Sequence, residues 1–317
     1  MTPRKLNIMF AFFPYTGNST GKSVVFELLP WWGETFYKMK AAEAFRDRIG
    51  RVSLWEKADT PITMTRNLAV KVAQESKADV LVMLDSDIHP DVHLGCDPDA
   101  VPFFDTTFNA IYDHWDKGPL VIGAPYGGCP PHENMFVFDW TATGNIGDES
   151  PFKMRQYERQ EAQQMSGIQE CAALPTGMIM YDMRCFDLMK RPYFYYEWKD
   201  DNQSEKTSTE DVTNTRDISL TWMMRRGYNP VRCAWSCWAG HKKVWTVGKP
   251  TKCTANRVAK TLRDAILEGV EADEKIVDAE TILKQHRDNM AGTSCTLRLL
   301  GSPEDSGGKM IVQARGK

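Results

Sequence analysis

The fold is decided by the stretch Val80-Leu81-Val82-Met83-Leu84-Asp85-Ser86-Asp87. Its first five residues are all apolar, which is typical of a strand that is buried on both faces of a sheet. Similar runs occupy residues 6–13, 120–124 and 177–181, and a helical pattern occupies residues 64–75. Strands that alternate with helices predict an α/β protein with a mixed, mainly parallel sheet flanked by helices. The ligand site of such a sheet lies beyond the carboxyl ends of its strands, which is where this stretch ends in two aspartates.

The composition limits the classes of protein that the chain can belong to. Its 317 residues include 39 basic and 42 acidic side chains, a net charge of −3, which excludes a nucleic-acid binder with a wholly basic surface. No apolar run approaches the ~18 residues of a membrane span, so no transmembrane segment is expected. The N-terminal apolar run is too short for a signal peptide and is followed by Pro14-Tyr15. The eight cysteines include no C-x-x-C pair and, in a chain this large, do not resemble a disulfide framework, so we expect reduced thiols and a cytoplasmic location.

The composition also changes along the chain. Residues 1–250 contain the strand patterns and are expected to form the catalytic domain. Residues 251–317 predict a C-terminal helical extension with a flexible tail. The almost wholly polar residues 198–216 predict a mobile loop over the site, followed by a helix at residues 217–226. Within this loop, Trp198 is the tryptophan that we expect to stack on a sugar or base face.

Asp85 and Asp87 are the strongest candidates for chemistry. Alternate residues of an extended chain point the same way, so the two carboxylates are expected to converge on one cation. Mg²⁺ and Mn²⁺ prefer few carboxylates together with the phosphate oxygens of a substrate. An apolar strand followed by Asp-x-Asp therefore indicates a site for a metal ion and a diphosphate, although such a pair is also an ordinary cap or turn.

The order of the motifs resembles that of the GT-A nucleotide-sugar glycosyltransferases, particularly the family 2 type. Seven short segments over residues 6 to 245 carry the resemblance. They are strand 6–13 with Pro14-Tyr15, Thr65-Arg66-Asn67, Asp85-Ser86-Asp87, Val121 to Tyr126, Pro175 to Met180, Glu210-Asp211 (or Asp217), and Gly240-His241. The resemblance implies a Rossmann-like GT-A sheet with the nucleotide at its carboxyl edge.

The resemblance also implies a reaction and its ligands. A sugar would pass from a nucleoside-diphosphate sugar, with UDP-sugars favoured, to a hydroxyl acceptor with inversion. The metal ion, Mn²⁺ or Mg²⁺, is expected to be held by Asp85, Asp87 and His241. The donor is expected to contact six residues of the matching motifs: Pro14, Tyr15, Arg66, Asn67, Ser86 and Gly177. The acceptor (glycan, protein, lipid or modified nucleic acid) and the oligomeric state stay open.

An inverting transfer needs a carboxylate base that takes the proton of the acceptor hydroxyl. The candidates are Glu210, Asp211 and Asp217. Asp211 is preferred because it belongs to the acidic pair that resembles the family's ED motif. Asp217 stays open because it leads directly into the predicted helix, where that motif normally sits.

Other functions also stay open. Residues 16–23 follow a strand and end in Gly-Lys-Ser, so Gly17–Ser23 resembles the phosphate-binding P-loop of NTPases and kinases. A P-loop needs glycine where Thr16 stands, and Pro30 is expected to limit the following helix to about two turns. A non-catalytic nucleotide-sugar-binding protein is the second alternative, and a nucleotidyltransferase on the same type of sheet is another.

Overall fold

A computed structural model describes residues 4–14, 21–57, 61–128, 135–142, 152–198 and 206–241. The elements in these ranges, in chain order, are β1 (Leu6–Phe13), α1 (Gly21–Ala41), α2 (Glu43–Arg46), β2 (Ile49–Glu56), α3 (Ile62–Glu75), β3 (Val80–Asp85), β4 (Ile88–His89), α4 (Phe103–His114), β5 (Val121–Gly123), β6 (Phe138–Ala142), β7 (Phe152–Gln156), α5 (Arg159–Gln164), β8 (Ile168–Glu170), β9 (Met178–Asp182), a 3₁₀ helix (Met183–Leu188), β10 (Glu197–Trp198), β11 (Lys206–Ser208), α6 (Glu210–Arg226), β12 (Val231–Ala234) and β13 (Gly240–His241).

The centre of the molecule is a seven-stranded sheet in the order β2-β1-β3-β9-β5-β12-β8. Five strands run in one direction, whereas β9 and β8 are antiparallel to their neighbours. The predicted α/β class with a mixed, mainly parallel sheet is therefore confirmed, and the arrangement is consistent with a Rossmann-like GT-A fold. β3 lies inside the sheet between β1 and β9, so its carboxyl end lies in the middle of the sheet edge.

Both faces of the sheet are covered, which explains the unbroken apolar run of β3. Val80, Val82 and Leu84 pack on one side with α1 and α4. Leu81 and Met83 pack on the other side with α3 and α6. All five side chains are 0% exposed, because successive residues of a strand point to opposite faces and each face has its own core.

α6 begins earlier than the sequence predicts. Residues 210–216 were expected in a loop, yet they form the first two turns of the helix. The reason is that Thr213, Asn214 and Thr215 are buried and hydrogen-bonded to the backbone of Tyr195, Tyr193 and Leu174 at 2.7, 2.9 and 2.9 Å. A polar sequence is therefore stabilised as a buried helix by partners from other segments.

α1 also differs from its prediction, because it continues through Pro30 to Ala41. The expected two-turn helix is wrong. After the proline, Trp31 and Met39 are buried in the core that α1 shares with α4, and this burial outweighs the ~3 kcal/mol that an interior proline costs.

Two further predictions concern the ends of the polar region and of the chain. Trp198, expected in a mobile loop, lies in β10, which pairs antiparallel with β11. The predicted C-terminal helical extension, residues 251–317, lies outside the described residues, so the division at residue 250 stays a prediction. Among the helices that the structure describes, none has the length and apolarity needed to cross a membrane.

Candidate functional site

A buried arginine organises the carboxyl end of β3. Arg66 lies in the first turns of α3, and its side chain is 3% exposed. Its Nη2 donates to both carboxylate oxygens of Asp85, at 2.9 and 2.7 Å, and its Nη1 donates to Oε1 of Glu210 at 2.8 Å. The guanidinium also lies 5.8 Å from the centre of the Phe13 ring. Arg66 therefore joins the ends of β1 and β3 to the start of α6.

Two acidic residues begin α6 beside this arginine. Glu210 and Asp211 occupy its first turn, where the exposed backbone N–H groups favour negative charge. Glu210 is buried against Arg66, whereas Asp211 is half-buried. Oδ1 of Asp211 accepts hydrogen bonds from the Thr209 hydroxyl and, at 2.8 Å, from the Val212 N–H. Within the described part of the chain, Oδ2 of Asp211 has no hydrogen-bond donor of its own and is the more available oxygen.

The pKa values at the site reflect several carboxyl groups that surround one cation, Arg66. Burial raises the pKa of Asp85 and of Glu210 above their ordinary values, although Arg66 opposes both shifts. Burial lowers the pKa of Arg66, but the carboxylates of Asp85, Asp211 and Glu210 outweigh it and raise that pKa. Burial likewise raises the pKa of Tyr126 well above its ordinary value, and Asp211 and Asp85 add to this shift. The site thus holds more negative charge than Arg66 alone balances.

Asp87 has a different partner from Asp85. His241 on β13 brings its Nε2 to 3.2 Å from Oδ2 of Asp87, and its Nδ1 lies 3.0 Å from the carbonyl oxygen of Gly127. The carbonyl can only accept, so Nδ1 carries a proton and donates it. In the neutral ring Nε2 is then an acceptor that faces an acceptor oxygen. This contact needs either a second proton on the ring or a cation that both atoms bind.

Asp87 and His241 together suit a hard divalent cation that is held by few protein ligands. A metal-binding histidine usually donates its other ring N–H to a backbone carbonyl, as His241 does to Gly127. Mg²⁺ usually takes one or two carboxylates and fills its remaining positions with water and substrate phosphate. In the described ranges no three His, Cys, Asp or Glu side chains form a metal-binding group. Asp87 pairs with His241, whereas both oxygens of Asp85 accept from Arg66, so a common metal site of Asp85, Asp87 and His241 stays a prediction.

Asn67 is predicted to face the nucleotide, but its amide is already fully used. Its Oδ1 accepts from the backbone N–H groups of Tyr193 and Phe194, at 2.7 and 3.3 Å. Its Nδ2 donates to the carbonyl oxygens of Thr63 and Phe194, both at 2.8 Å. These four bonds exhaust the amide, so Asn67 fixes the 193–194 segment instead of offering a group to a ligand.

Gly177 is required by close packing. Its N–H donates to the Tyr126 hydroxyl at 3.1 Å, and its carbonyl accepts from the Asp85 N–H at 2.8 Å. A Cβ at this position would lie 2.5 Å from the Tyr126 oxygen and 3.0 Å from Ile88 Cγ1. Gly177 thus ties the start of β9 to the end of β3, and no side chain fits in its place.

The other predicted residues are distributed as follows. Ser86 is buried in the turn between Asp85 and Asp87, and Pro14 follows β1 directly. Tyr15 lies outside the described residues. Asp217 is two helical turns beyond Glu210, where it accepts from the Tyr195 hydroxyl at 2.6 Å and from Arg216 at 2.9 and 3.0 Å. The structure therefore brings Glu210 and Asp211 to Arg66, and it engages Asp217 elsewhere.

Sequence reasoning missed two members of the site. Tyr126 packs edge-on against His241, with ring centroids 5.1 Å apart, and Gly127 supplies the carbonyl that orients the imidazole. Both follow the buried strand β5. The signal that identified Asp85, a polar residue just after an apolar strand, applies equally to Tyr126.

The P-loop alternative is neither supported nor excluded by these contacts. Residues 15–20 lie outside the described residues, as do the side chains of Lys22 and Ser23. Since α1 continues through Pro30, one of the two arguments against a P-loop no longer holds. The other, the threonine at position 16, remains.

Comparisons with known proteins give weak likenesses. No protein-family model matches the chain, and no curated protein matches it. A solved structure of A197 from STIV has a TM-score of 0.41 at 13% identity, covering 75% of this chain and 86% of that one. A putative glucose-1-phosphate thymidylyltransferase from Bacillus anthracis, in complex with a sucrose, has a TM-score of 0.35 at 10% identity, covering 81% and 96%. GalNAc-T7 with UDP, GalNAc and Mn²⁺ has a TM-score of 0.35 at 11% identity, covering 82% and 48%. Likenesses at this level assign no function to the chain.

Proposed function

We propose that this protein is a metal-dependent glycosyltransferase that moves a sugar from a nucleoside-diphosphate sugar to a hydroxyl acceptor with inversion. The observation that carries the proposal is the contact of Asp87 with His241 at the carboxyl end of the central strand. There Nε2 of the oriented imidazole and Oδ2 of Asp87 lie 3.2 Å apart, and of the two arrangements that account for this contact, a protonated ring or a shared cation, we infer the cation. A cation bound by both atoms satisfies both acceptors.

Asp87 and His241 would hold the ion, which is Mn²⁺ or Mg²⁺. When bound, it neutralises the negative charge that develops on a diphosphate leaving group. The few protein ligands leave positions for phosphate oxygens, which suits a nucleoside-diphosphate sugar as donor. A UDP-sugar is the favoured donor on the family resemblance.

Arg66 acts as a positioning residue in this proposal. It neutralises Asp85 and Glu210 and holds β3 and α6 together at the same edge. Asp211, next to Glu210 but without a direct bond to Arg66, is the proposed base that takes the proton of the acceptor hydroxyl. Asp217 is less suitable because Tyr195 and Arg216 engage both of its oxygens.

The first experiment measures the melting temperature with UDP or GDP, with and without Mn²⁺. Ligand binding stabilises the folded state by mass action, so we expect a rise with nucleotide and metal together that exceeds the sum of the separate effects. Asp87→Asn and His241→Ala should lose this rise, whereas His93→Ala, an exposed histidine in a loop, serves as the matched control and should keep it. A metal-independent rise that Lys22→Ala abolishes would support the P-loop function instead.

The second experiment tests turnover with a panel of nucleotide sugars and hydroxyl acceptors. Asp211→Asn should lower transfer by roughly 10²–10⁴-fold while it keeps donor binding. Asp217→Asn should retain most of the activity, and the anomeric configuration of the product should be inverted. Tight donor binding without turnover of any donor would indicate a binding protein. Pyrophosphate release from UTP and a sugar 1-phosphate would indicate a nucleotidyltransferase.

A further inference from the structure

A small cavity is lined by the loop after β12, the end of α5 and the loop before α4. Its volume is about 90 Å³, which is space for several water molecules, and none of its lining residues belongs to the candidate site. Trp235 and Trp238 form its aromatic wall, with ring centroids 6.0 Å apart at an interplanar angle of 53°. Asp97 and Asp99 line it from the loop before α4. We call it the indole cavity.

Hydrogen bonds fix the backbone that carries the two indoles. The Trp235 N–H donates to the carbonyl oxygen of Gly167 at 2.7 Å, and the Gly167 N–H donates to Oγ of Ser236 at 2.9 Å. The carbonyl oxygen of Ser236 accepts from the Val101 N–H, also at 2.9 Å. These bonds join the loop after β12 to the other two segments around the cavity. The cavity is therefore formed in advance, which lowers the entropic cost of binding a ligand.

The wall of the cavity contains a buried donor without an acceptor. Trp235 is 1% exposed, and within the described ranges its indole N–H has no hydrogen-bond partner. The ring packs edge-on against Tyr157, with centroids 5.0 Å apart. Leaving a buried donor unpaired is costly, so a ligand that places an oxygen beside this N–H gains a hydrogen bond that the protein alone does not make.

The charge at the cavity is negative. Asp97 accepts from the Asp99 N–H at 2.9 Å, and no ion pair engages either aspartate within the described part of the chain. No lysine or arginine side chain of the described ranges lines the cavity, the arginine of α5 (Arg159) included, and His93 is its remaining titratable group. Carboxylates beside the faces of two indoles favour an organic cation, because ammonium groups are attracted to both.

We propose that the indole cavity binds a small amino alcohol, whose ammonium pairs with Asp97 and Asp99 and whose oxygen accepts from the Trp235 N–H. Trp238 and Met165 supply apolar surface for the short carbon chain between these two groups. The volume lies well below the roughly 300 Å³ at which sites for drug-sized ligands begin, so the cavity does not hold a nucleotide or a saccharide. The amino alcohol is either a free compound or the headgroup of a lipid, since both present the same atoms. This inference does not rest on the proposed function.

The test titrates the full chain with ethanolamine and follows the indole N–H signals by NMR. Trp235→Phe identifies the Trp235 signal, which should shift as ethanolamine binds. A ligand with so few atoms offers little contact, so we expect a dissociation constant in the millimolar range. Ethylene glycol lacks the ammonium and propylamine lacks the oxygen, although both match ethanolamine in size. Each should bind roughly fivefold more weakly.

A double variant, Asp97→Asn with Asp99→Asn, tests the acidic side of the cavity without touching its buried wall. Both aspartates are exposed, so the variant should fold, and it should bind ethanolamine roughly fivefold more weakly. Asp116→Asn is the matched control, because it removes an exposed aspartate that follows α4 and does not line the cavity. It should leave the affinity unchanged.

Vesicles that contain phosphatidylethanolamine distinguish the two sources of the ligand. Co-sedimentation that the double variant loses supports a lipid headgroup, whereas a shift with free ethanolamine and no co-sedimentation supports a free amino alcohol. The inference is refuted if ethanolamine leaves the Trp235 signal in place, if ethylene glycol binds as well as ethanolamine, or if the double variant binds as well as Asp116→Asn. None of these assays contains nucleotide or metal, so their failure leaves the proposed function standing, and loss of the joint effect of UDP and Mn²⁺ leaves the amino-alcohol site standing.

Discussion

Arg66→Met keeps most of the volume of the side chain but removes the charge that Asp85 and Glu210 share. It deletes three charge-assisted hydrogen bonds of 2.7–2.9 Å and leaves two carboxylates without their cation. Breaking a buried ion pair from one side costs about 3–5 kcal/mol. The Asp85 side chain is 24% exposed and therefore partly solvated. We expect the substitution to lower the free energy of unfolding by about 4 kcal/mol at pH 8.

The loss of stability in Arg66→Met should be smaller at low pH than at high pH. In the folded protein the pKa values of Asp85 and Glu210 are raised above 3.8 and 4.5, so ionisation of both groups destabilises the fold as the pH rises through those raised values. Arg66 opposes both shifts, so its removal raises both pKa values further. Because the carboxylates of the variant bind protons at a higher pH than those of the wild type, the variant should lose less stability at pH 5 than at pH 8.

Urea unfolding followed by tryptophan fluorescence at pH 5 and pH 8 measures this difference. A loss of about 4 kcal/mol lowers the unfolding midpoint by roughly 1–2 M. Lys71→Met is the matched control, because Lys71 lies on the same helix and forms an exposed pair with Glu75, worth about 0.3–0.5 kcal/mol. The reasoning is refuted if Arg66→Met costs no more than Lys71→Met, or if its cost is equal at both pH values.

Three further stability predictions follow from the packing. Gly177→Ala forces a Cβ to 2.5 Å from the Tyr126 oxygen and should cost about 1–3 kcal/mol in urea unfolding, whereas Gly127→Ala, with nothing within 4 Å, should cost far less. Asn214→Ala leaves a buried tyrosine hydroxyl and a backbone carbonyl unpaired and should cost about 2–4 kcal/mol; a loss below about 1 kcal/mol would contradict it. Gly227→Ala places a side chain at φ 74° at the end of α6 and should lower the free energy of unfolding by about 1 kcal/mol.

The strands of the fold were the part most readily predicted from the sequence. β1 has the predicted bounds, and β3 extends its prediction by one residue, because strands covered on both faces require an unbroken apolar run. The start of α6 was not predictable in this way. Its first turns depend on hydrogen bonds to Leu174 and Tyr193, and these partners are distant in sequence, so a local pattern indicates a loop.

The candidate site was predicted as a set of residues but not as a set of contacts. Strand-end polarity identified Asp85 and Asp87, and the family resemblance added Arg66, Glu210 and His241. That Arg66 would bond to both oxygens of Asp85, while Asp87 pairs with His241, depends on how α3 packs against β3. No spacing between motifs contains that information, because the bond from Arg66 to Glu210 joins residues 144 positions apart.

The antiparallel insertion of β9 between β3 and β5 has a consequence for biosynthesis. As the chain leaves the ribosome, β3 is complete at Asp85, but the strand that covers its open edge begins only at Met178. Asp87 can contact the imidazole of His241 only after residue 241 has emerged. Contacts this distant in sequence close slowly, and the uncovered apolar edge is open to aggregation meanwhile. A nascent chain that stalls after β12 and before residue 241 would therefore carry all seven strands of the sheet but lack the contact between Asp87 and His241.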